Sequence, residues 1–344
     1  MPDATADLPP LVGEARSFVE MLEHVSLVAP LDKPVLVIGE RGTGKELIAA
    51  RLHYLSRRWD RPFVKVNCAA LSAELLDSEL FGHEAGAFTG AVRRHIGRFE
   101  RGNGGTVVLD EVANASLRVQ EKVLRVIEYG EFERVGGGGT LRVDVRVIGA
   151  TNLDLPGQVA AGRFRADLLD RLAFDVVTLP PLRARRGDIP LLAEHFALAM
   201  VHELDRAAFA GFAPEAMERL TGYDWPGNVR ELKNAVERAV YRTRDLDWPV
   251  ADIVLDPFRS PFRPSGVPPG PSAATAVAER PAGDGAAVAE PFDFVARVGD
   301  FERGLLRASL ERHRFNQRRT AEHLGMSYHK LRGHLRKYGL LPKR

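Results

Sequence analysis

The chain has a single cysteine, Cys68, among its 344 residues. No internal disulfide can form, and such sparing use of cysteine fits a reducing compartment. Long apolar runs are missing as well. The most hydrophobic stretches are strand-length, such as Val35–Ile38, far below the ~20 residues needed to cross a bilayer. The opening residues, Met1-Pro-Asp-Ala-Thr-Ala-Asp7, have neither the basic nor the apolar segment of a secretory signal. There is no internal repeat. These absences exclude a disulfide scaffold and a membrane span and predict a cytoplasmic protein. A hydrophobic content of 45% with 27% charged residues is ordinary for a folded chain, and this length accommodates about two or three domains.

The formal net charge of +2 conceals an asymmetry. From Val298 to Arg344 there are 12 Lys or Arg against 4 Asp or Glu, whereas the rest of the chain carries 36 against 42. A basic tail on an acidic body points to a polyanionic partner for the tail alone. On charge by itself, a solvated helical face is an equal reading.

Five apolar, β-branched runs punctuate the first half: Val35–Ile38, Phe63–Asn67, Thr106–Asp110, Val143–Ala150 and Phe174–Leu179. Helical patterns lie between them, with Val119, Val123, Val126 and Ile127 on one helix face. Strands alternating with helices predict an α/β fold with a mostly parallel sheet covered on both faces. Residues 187–244 contain no comparable strand run and read as a separate helical subdomain. Residues 256–291 are dense in Pro, Gly, Ala and Ser and read as a linker with too little to bury to offset its own ordering entropy. Phe301, Leu305, Ala308 and Leu310 then restart a helical pattern.

The strand Val35–Ile38 runs into Gly39-Glu40-Arg41-Gly42-Thr43-Gly44-Lys45-Glu46. Glycines let such a loop fold around phosphate oxygens, which its N–H groups and the following helix N-terminus then hold. Lys45 would reach the β- and γ-phosphates. The generic motif ends in Ser or Thr, whose hydroxyl binds Mg²⁺. Glu46 stands there instead, so other groups and water must hold the metal. Asp110 and Glu111 follow the run Thr106–Leu109 and would lie at the C-terminal edge of the sheet, where ligands bind. Asp110 suits Mg²⁺, and Glu111 suits polarising the water that attacks the γ-phosphate. Two acids after a strand are common in any protein; the upstream loop gives them weight.

Near the C-terminus, Gln317–Leu324, the turn Gly325-Met326-Ser327 and Tyr328–Tyr338 form a helix-turn-helix pattern. Ala321 and Leu324 would face Leu331 and Leu335 in a small core. Ser327 would cap the second helix, leaving Tyr328, His329, Lys330, Arg332 and Arg336 for groove and phosphates. Gly333 inside that helix costs up to ~1 kcal/mol relative to Ala. A basic helical hairpin for protein contacts is the other reading.

The segments Gly39–Glu46, Glu84-Ala-Gly-Ala-Phe-Thr-Gly-Ala91 and Trp225-Pro-Gly-Asn-Val-Arg-Glu-Leu232 resemble those of the sigma-54-dependent activators, bacterial enhancer-binding proteins of the AAA+ class. The resemblance covers residues 10–245 and resumes over the tail, which is similar to a Fis-type domain. Within that family Glu46 is the expected residue. Arg51-Leu-His-Tyr-Leu-Ser56 and Phe164-Arg-Ala-Asp-Leu-Leu-Asp-Arg-Leu172 look most like the branch that governs phage-shock, or envelope-stress, promoters. The short stretch before Val35 leaves no room for a sensory domain, so control independent of two-component signalling is implied.

The resemblance implies an AAA+ α/β part at 1–182, a helical lid at 183–252, a flexible linker at 253–297 and a Fis-type DNA-binding domain at 298–344. ATP and Mg²⁺ are the implied cofactors. Gly86, Ala87, Phe88, Thr89, Gly90 and Ala91 would contact sigma-54, with Phe88 and Thr89 at the tip; without the family they read as an ordinary glycine-flanked surface turn. Asn67 would hydrogen-bond Glu111 in a nucleotide-dependent switch, though an asparagine ending a strand is unremarkable alone. Asn152 would read the γ-phosphate, and Arg230 would be a second sensor on the lid. Arg165 and Arg171 would act as arginine fingers from a neighbouring subunit, implying an active hexameric ring; read alone, each is a surface ion-pair residue. Trp59 would receive an inhibitor resembling phage shock protein A, the alternative being a partly buried packing residue. The implied activity is ATP-driven conversion of sigma-54 polymerase closed complexes to open ones from enhancer DNA. The competing readings are an ATP-sensing DNA-binding regulator that never engages sigma-54, and a remodelling ATPase of other proteins, against which the DNA-binding tail argues.

Overall fold

A computed structural model describes residues 10–206, 209–243, 248–258, 294–313 and 316–340. The chain divides into two compact units, residues 1–264 and 265–344. Most of the linker expected at 253–297 lies outside the described residues.

The first unit begins with α1 (Arg16–Val28), β1 (Val35–Ile38), α2 (Lys45–Tyr54), β2 (Phe63–Asn67), α3 (Ala73–Phe81), α4 (Arg98–Arg101) and β3 (Thr106–Asp110). It continues through α5 (Leu117–Tyr129), β4 (Glu131–Glu133), β5 (Thr140–Arg142), β6 (Arg146–Thr151), α6 (Leu155–Ala160), α7 (Ala166–Leu172) and β7 (Val176–Thr178). Strands β1, β2, β3, β6 and β7 form one sheet in the order β2-β3-β6-β1-β7, with every neighbour parallel. Successive strand side chains point to opposite faces, and the two cores separate on that period. Leu36, Val107, Leu109 and Val147 pack with residues of α3, α5 and α7, while Val35, Val37, Val108, Ile148 and Ala150 pack with α1 and α2.

Two strands are shorter than their sequence runs. Val143–Ala150 resolves into β6 starting at Arg146, because the Val143 N–H donates to Gly130 O and the Asp144 carbonyl receives the Gly104 N–H, so both leave the ladder. Phe174–Leu179 resolves into β7, since the Asp175 carboxylate takes the Val176 N–H and Phe174 is exposed. The β4–β5 antiparallel hairpin was not foreseen; its strands are too short to show an alternation.

The lid follows with α8 (Ile189–Glu203), α9 (Pro214–Gly222) and α10 (Asn228–Arg242). Their core closes around Trp225, which is fully buried and whose indole N–H donates to Leu220 O at 2.8 Å. Val250 and Ile253 are buried in this core and Leu255 packs on it, so lid packing runs past the boundary expected at 252.

In the second unit, α11 (Phe294–Arg312), α12 (Gln317–His323) and α13 (Tyr328–Lys337) enclose Leu306, Leu310, Ala321, Leu331 and Leu335, with Leu324 packed alongside. The helix-turn-helix core is as expected, but the α11 stripe is displaced. Leu306, Ser309 and Leu310 face inward, whereas Leu305 and Ala308 are exposed, because the inward face follows the contact with α12 rather than the count of apolar residues. The side chain of Phe301 lies outside the described residues. Among the described residues no helix is long and apolar enough to cross a membrane.

Trp225→Ala should destabilise the first unit by about 3–5 kcal/mol, as expected for emptying a fully buried aromatic site. Equilibrium urea unfolding followed by circular dichroism is the measurement.

Candidate functional site

In a parallel sheet every strand ends at the same edge. Here that edge gathers the loop after β1, the last residues of β2 and β3, and the turn after β6. The β1 loop bends through positive φ at Gly42 and Gly44. At Gly42 a side chain has no room, because a Cβ would lie 2.2 Å from Gly227 O of the lid. At Gly44 nothing among the described residues lies within 4 Å of that position, so the loop is open on that side. Gly44 caps α2 without a side-chain acceptor, which leaves the first N–H groups of the helix available to an anion.

Lys45 is buried. Its Nζ donates to Gly39 O at 3.0 Å and Glu40 O at 3.4 Å and lies 3.8 Å from Glu111 Oε1. Burial pushes this ammonium below its ordinary range, against the pull of Glu111 and Asp110. Thr43 is buried and donates its hydroxyl to Glu40 O. Glu46 is held by Lys65 Nζ at 2.8 Å. The donor set suits Mg²⁺ of the kind bound by a carboxylate and substrate phosphates rather than a full protein cage. Among the described residues there is no cluster of three or more His, Cys, Asp or Glu that would make such a cage.

Asn67 does not hydrogen-bond Glu111. Its Nδ2 donates to Asp110 Oδ2 at 3.4 Å, and its Oδ1 accepts the Ala69 N–H at 2.8 Å. The register explains this, since Asn67 and Asp110 are directly opposed across β2 and β3. Glu111 has turned out of the strand into the left-handed region, at φ 52°, which carries its carboxylate to Lys45 and to the Asn152 N–H at 3.4 Å. Four of the expected residues thus converge: Lys45, Asp110, Glu111 and Asn152.

The lid closes the other side of the loop. The Arg230 N–H donates to Gly42 O at 3.3 Å. Asn228, fully buried at φ 52°, donates from Nδ2 to Glu40 Oε2 and Arg41 O, both at 3.1 Å, and accepts the Leu182 N–H at 2.8 Å. Arg183 grips Glu40 with two hydrogen bonds, at 2.7 and 2.5 Å. Hydrogen bonds from Arg183, then Asn228, pull the Glu40 carboxyl down to about 2. Sequence reasoning missed Asn228 and Arg183, although Asn228 stands inside a motif already singled out.

The segment Gly86–Ala91 lies apart from this edge. Gly86 N–H donates to Ala91 O at 2.8 Å and Ala91 N–H to Phe88 O at 3.0 Å, closing a tight loop through positive φ at Gly86 and Gly90. Thr89 is exposed, and Phe88 is 44% exposed and backed by the His83 ring at 4.9 Å. The loop rests on the β4–β5 turn. Val135 exchanges backbone hydrogen bonds with Gly82 and Glu84, and Arg134 spans Glu84 and Glu100.

Trp59 is 62% exposed and is therefore not a packing residue. Its neighbour Arg58 is fixed by Asp32 and Asp144, which anchors the chain next to Trp59. Arg165 pairs with Asp167 and Arg171 with Glu128 at 2.6 Å, so within one chain both arginines are surface ion-pair residues. In the second unit Ser327 caps α13 by accepting the Lys330 N–H at 3.3 Å. His329, Lys330, Arg332 and Arg336 are exposed on that helix and Tyr328 is half-buried.

Glu40→Gln should loosen the lid. Because the Glu40 pKa is lowered on folding, its contribution is present above the unfolded value and fades as pH falls towards about 2. The gap in thermal stability between wild type and Glu40→Gln should hold constant above about pH 5 and close in acid, as measured by differential scanning fluorimetry across pH.

Residues 11–178 match the family described as the Sigma-54 interaction domain, residues 183–253 the AAA+ ATPase lid domain, and residues 297–338 the bacterial regulatory proteins of the Fis family. The chain is 58% identical over 335 residues to the Psp operon transcriptional activator of Escherichia coli K12, covering 95% of this chain and 97% of that protein. It is 51% identical over 240 residues to the transcriptional regulatory protein ZraR of Salmonella typhimurium, covering 70% of this chain and 54% of that one. Among solved structures, NtrX of Brucella abortus in complex with ATP superposes with a TM-score of 0.67 at 35% identity, covering 96% of this chain and 70% of that one. The chain belongs to the sigma-54-dependent transcriptional activators, with an AAA+ ATPase core and lid and a Fis-type helix-turn-helix for DNA.

Proposed function

We propose that the chain is a Mg²⁺-dependent ATPase of the cytoplasm that binds enhancer DNA and converts sigma-54 polymerase closed complexes to open ones at phage-shock promoters. The observation that carries this reading is the convergence of Lys45, Asp110, Glu111 and the Asn152 N–H at one sheet edge, with the Gly86–Ala91 loop exposed elsewhere. The likeness to the Psp operon activator supports the promoter class. NtrX, solved with ATP and with ADP, supports the nucleotide.

On this reading the β1 loop and the N-terminus of α2 bind the triphosphate, and Lys45 leaves its loop carbonyls for the β- and γ-phosphate oxygens. Bound Mg²⁺, held by Asp110, would neutralise charge on those phosphates. Glu111 accepts a proton from a water whose oxygen attacks the γ-phosphorus while the bond to the β-phosphate oxygen breaks, releasing ADP and phosphate. Asn152 and Arg230 sense the γ-phosphate from the sheet and from the lid. Arg165 and Arg171 release Asp167 and Glu128 and reach a neighbour's site, where a planar guanidinium stabilises charge on the transferring phosphoryl. Hydrolysis then depends on a ring, which we take to be hexameric. Asn67, through Asp110 rather than Glu111, relays nucleotide state along β2. The loop from Gly86 to Ala91 engages sigma-54, and Ser327, Tyr328, His329, Lys330, Arg332 and Arg336 engage DNA. Exposed Trp59 is the anchor for an inhibitor resembling phage shock protein A, since large aromatics often carry most of an interface's affinity.

Lys45→Ala should abolish ATP binding. Glu111→Gln should bind ATP yet turn over about a hundred-fold or more slowly, the usual cost of losing a general base. Thr89→Ala should keep substantial ATPase while failing to form open complexes with sigma-54 polymerase. Rapid turnover by Glu111→Gln, or equal loss of both activities in Thr89→Ala, would overturn the assignment.

Mixing separates action in trans from action in cis. Arg171→Ala and Glu111→Gln proteins, each severely slowed alone, should recover part of the activity when combined, because shared sites then unite intact halves. Activity independent of protein concentration would contradict ring assembly.

A further inference from the structure

A buried ion pair joins the segment before α1 to residues 182–188, the hinge that leads into the lid, away from the reacting groups. Arg185 is 4% exposed and Asp188 1%. Asp188 Oδ1 accepts the backbone N–H of Glu14 at 2.7 Å and of Ala15 at 2.8 Å, and Ala15 is the N-cap of α1. Asp188 Oδ2 faces Arg185 Nη1 at 3.6 Å. The Arg185 guanidinium lies 4.4 Å from the centre of the Phe18 ring. Among the described residues, Arg185 Nε and Nη1 and Asp188 Oδ2 have no hydrogen-bond partner.

An ion pair this deeply buried is a poor source of net stability, since apolar side chains of similar volume do as well or better. What it supplies is orientation. Gly13 lies against it so closely that a Cβ would come within 2.7 Å of both Asp188 Oδ2 and Phe18 Cδ1. On either side of Gly13 the strap divides: Leu11 and Ala15 pack on the α/β core, and Val12 on the lid core. The same hinge carries Arg183, which grips Glu40, and Leu182, whose N–H holds Asn228.

We propose that Asp188 and Arg185 are positioning residues for ATP hydrolysis. They clamp the strap of residues 10–15 to the hinge and so set the angle at which the lid presents Asn228 and Arg230 to the phosphate loop. The inference rests on reading residues 39–46 as that loop.

The test is steady-state ATPase of the full chain, at protein concentrations on the assembled plateau, for Asp188→Ala, Gly13→Ala and the double variant. Gly13→Ala acts from the strap side, and Asp188→Asn replaces Asp188→Ala should the latter not fold. Each single variant should raise the KM for ATP about ten-fold, the size expected of one lost charged hydrogen bond, with kcat changed far less. The double variant should be no worse than either single one, because both break a single contact. A purely structural role would shrink the active fraction, lowering apparent kcat with KM unchanged, and that result would overturn the proposal. So would additive rises in KM. Wild-type protein without ATP turnover would remove the nucleotide reading and this one together, whereas normal wild-type turnover with unaltered variants would remove this one alone.

Discussion

A buried amide, Asn228, ties the lid to the loop after β1, beside the Arg230 N–H that donates to Gly42 O. Asn228 has no exposed surface, so each hydrogen bond it left unmade would be a full desolvation penalty of about 1–3 kcal/mol. Its Oδ1 is satisfied by the hinge, and its Nδ2 by the Glu40 carboxylate and the Arg41 carbonyl. Those partners come from two segments, residues 182–188 and the loop after β1, which the amide holds in register. A left-handed backbone at Asn228, tolerated better by asparagine than by most residues, aims the amide there. Lid, hinge and loop are therefore tied to one another through this residue.

A second constraint acts within the sheet. Parallel pairing puts Asn67 opposite Asp110, so the two strand ends share a hydrogen bond before any ligand is considered. The next residue, Glu111, escapes that pairing only by taking a positive φ. Adjacent carboxylates thereby face different partners, Asp110 the neighbouring strand and Glu111 the lysine and the turn after β6. The buried Cys68 thiol next to Asn67 is pushed up to about 12 by burial, then by Asp110 and Glu111, so it remains a neutral thiol that packs rather than reacts.

The Gly86–Ala91 loop shows how far local sequence reaches. Glycines at 86 and 90 were legible as turn residues, and both take positive φ. Its platform was not legible. The β4–β5 turn that supports it lies some fifty residues downstream, and its strands have only three residues each. Arg134, Glu84 and Glu100 read as scattered surface charges until the chain folds them into one network.

The sequence alone set the glycine-rich loop after β1, the strand that ends in Asp110 with Glu111 just beyond it, the helix-turn-helix core and its Ser327 cap. Each is a contiguous motif whose chemistry depends on neighbours a few residues away. Tertiary structure decided which partner Asn67 takes, where Glu111 points and which face of α11 turns inward. It also decided that Trp59 is exposed and that Arg165 and Arg171 pair with carboxylates of their own chain. The contacts of Asp188 with Glu14 and Ala15 span more than 170 positions, and those of Asn228 with Glu40 and Arg41 span nearly 190. No local periodicity encodes such distances. They arise only when the sheet and the lid have packed and the remaining buried polar atoms must find partners.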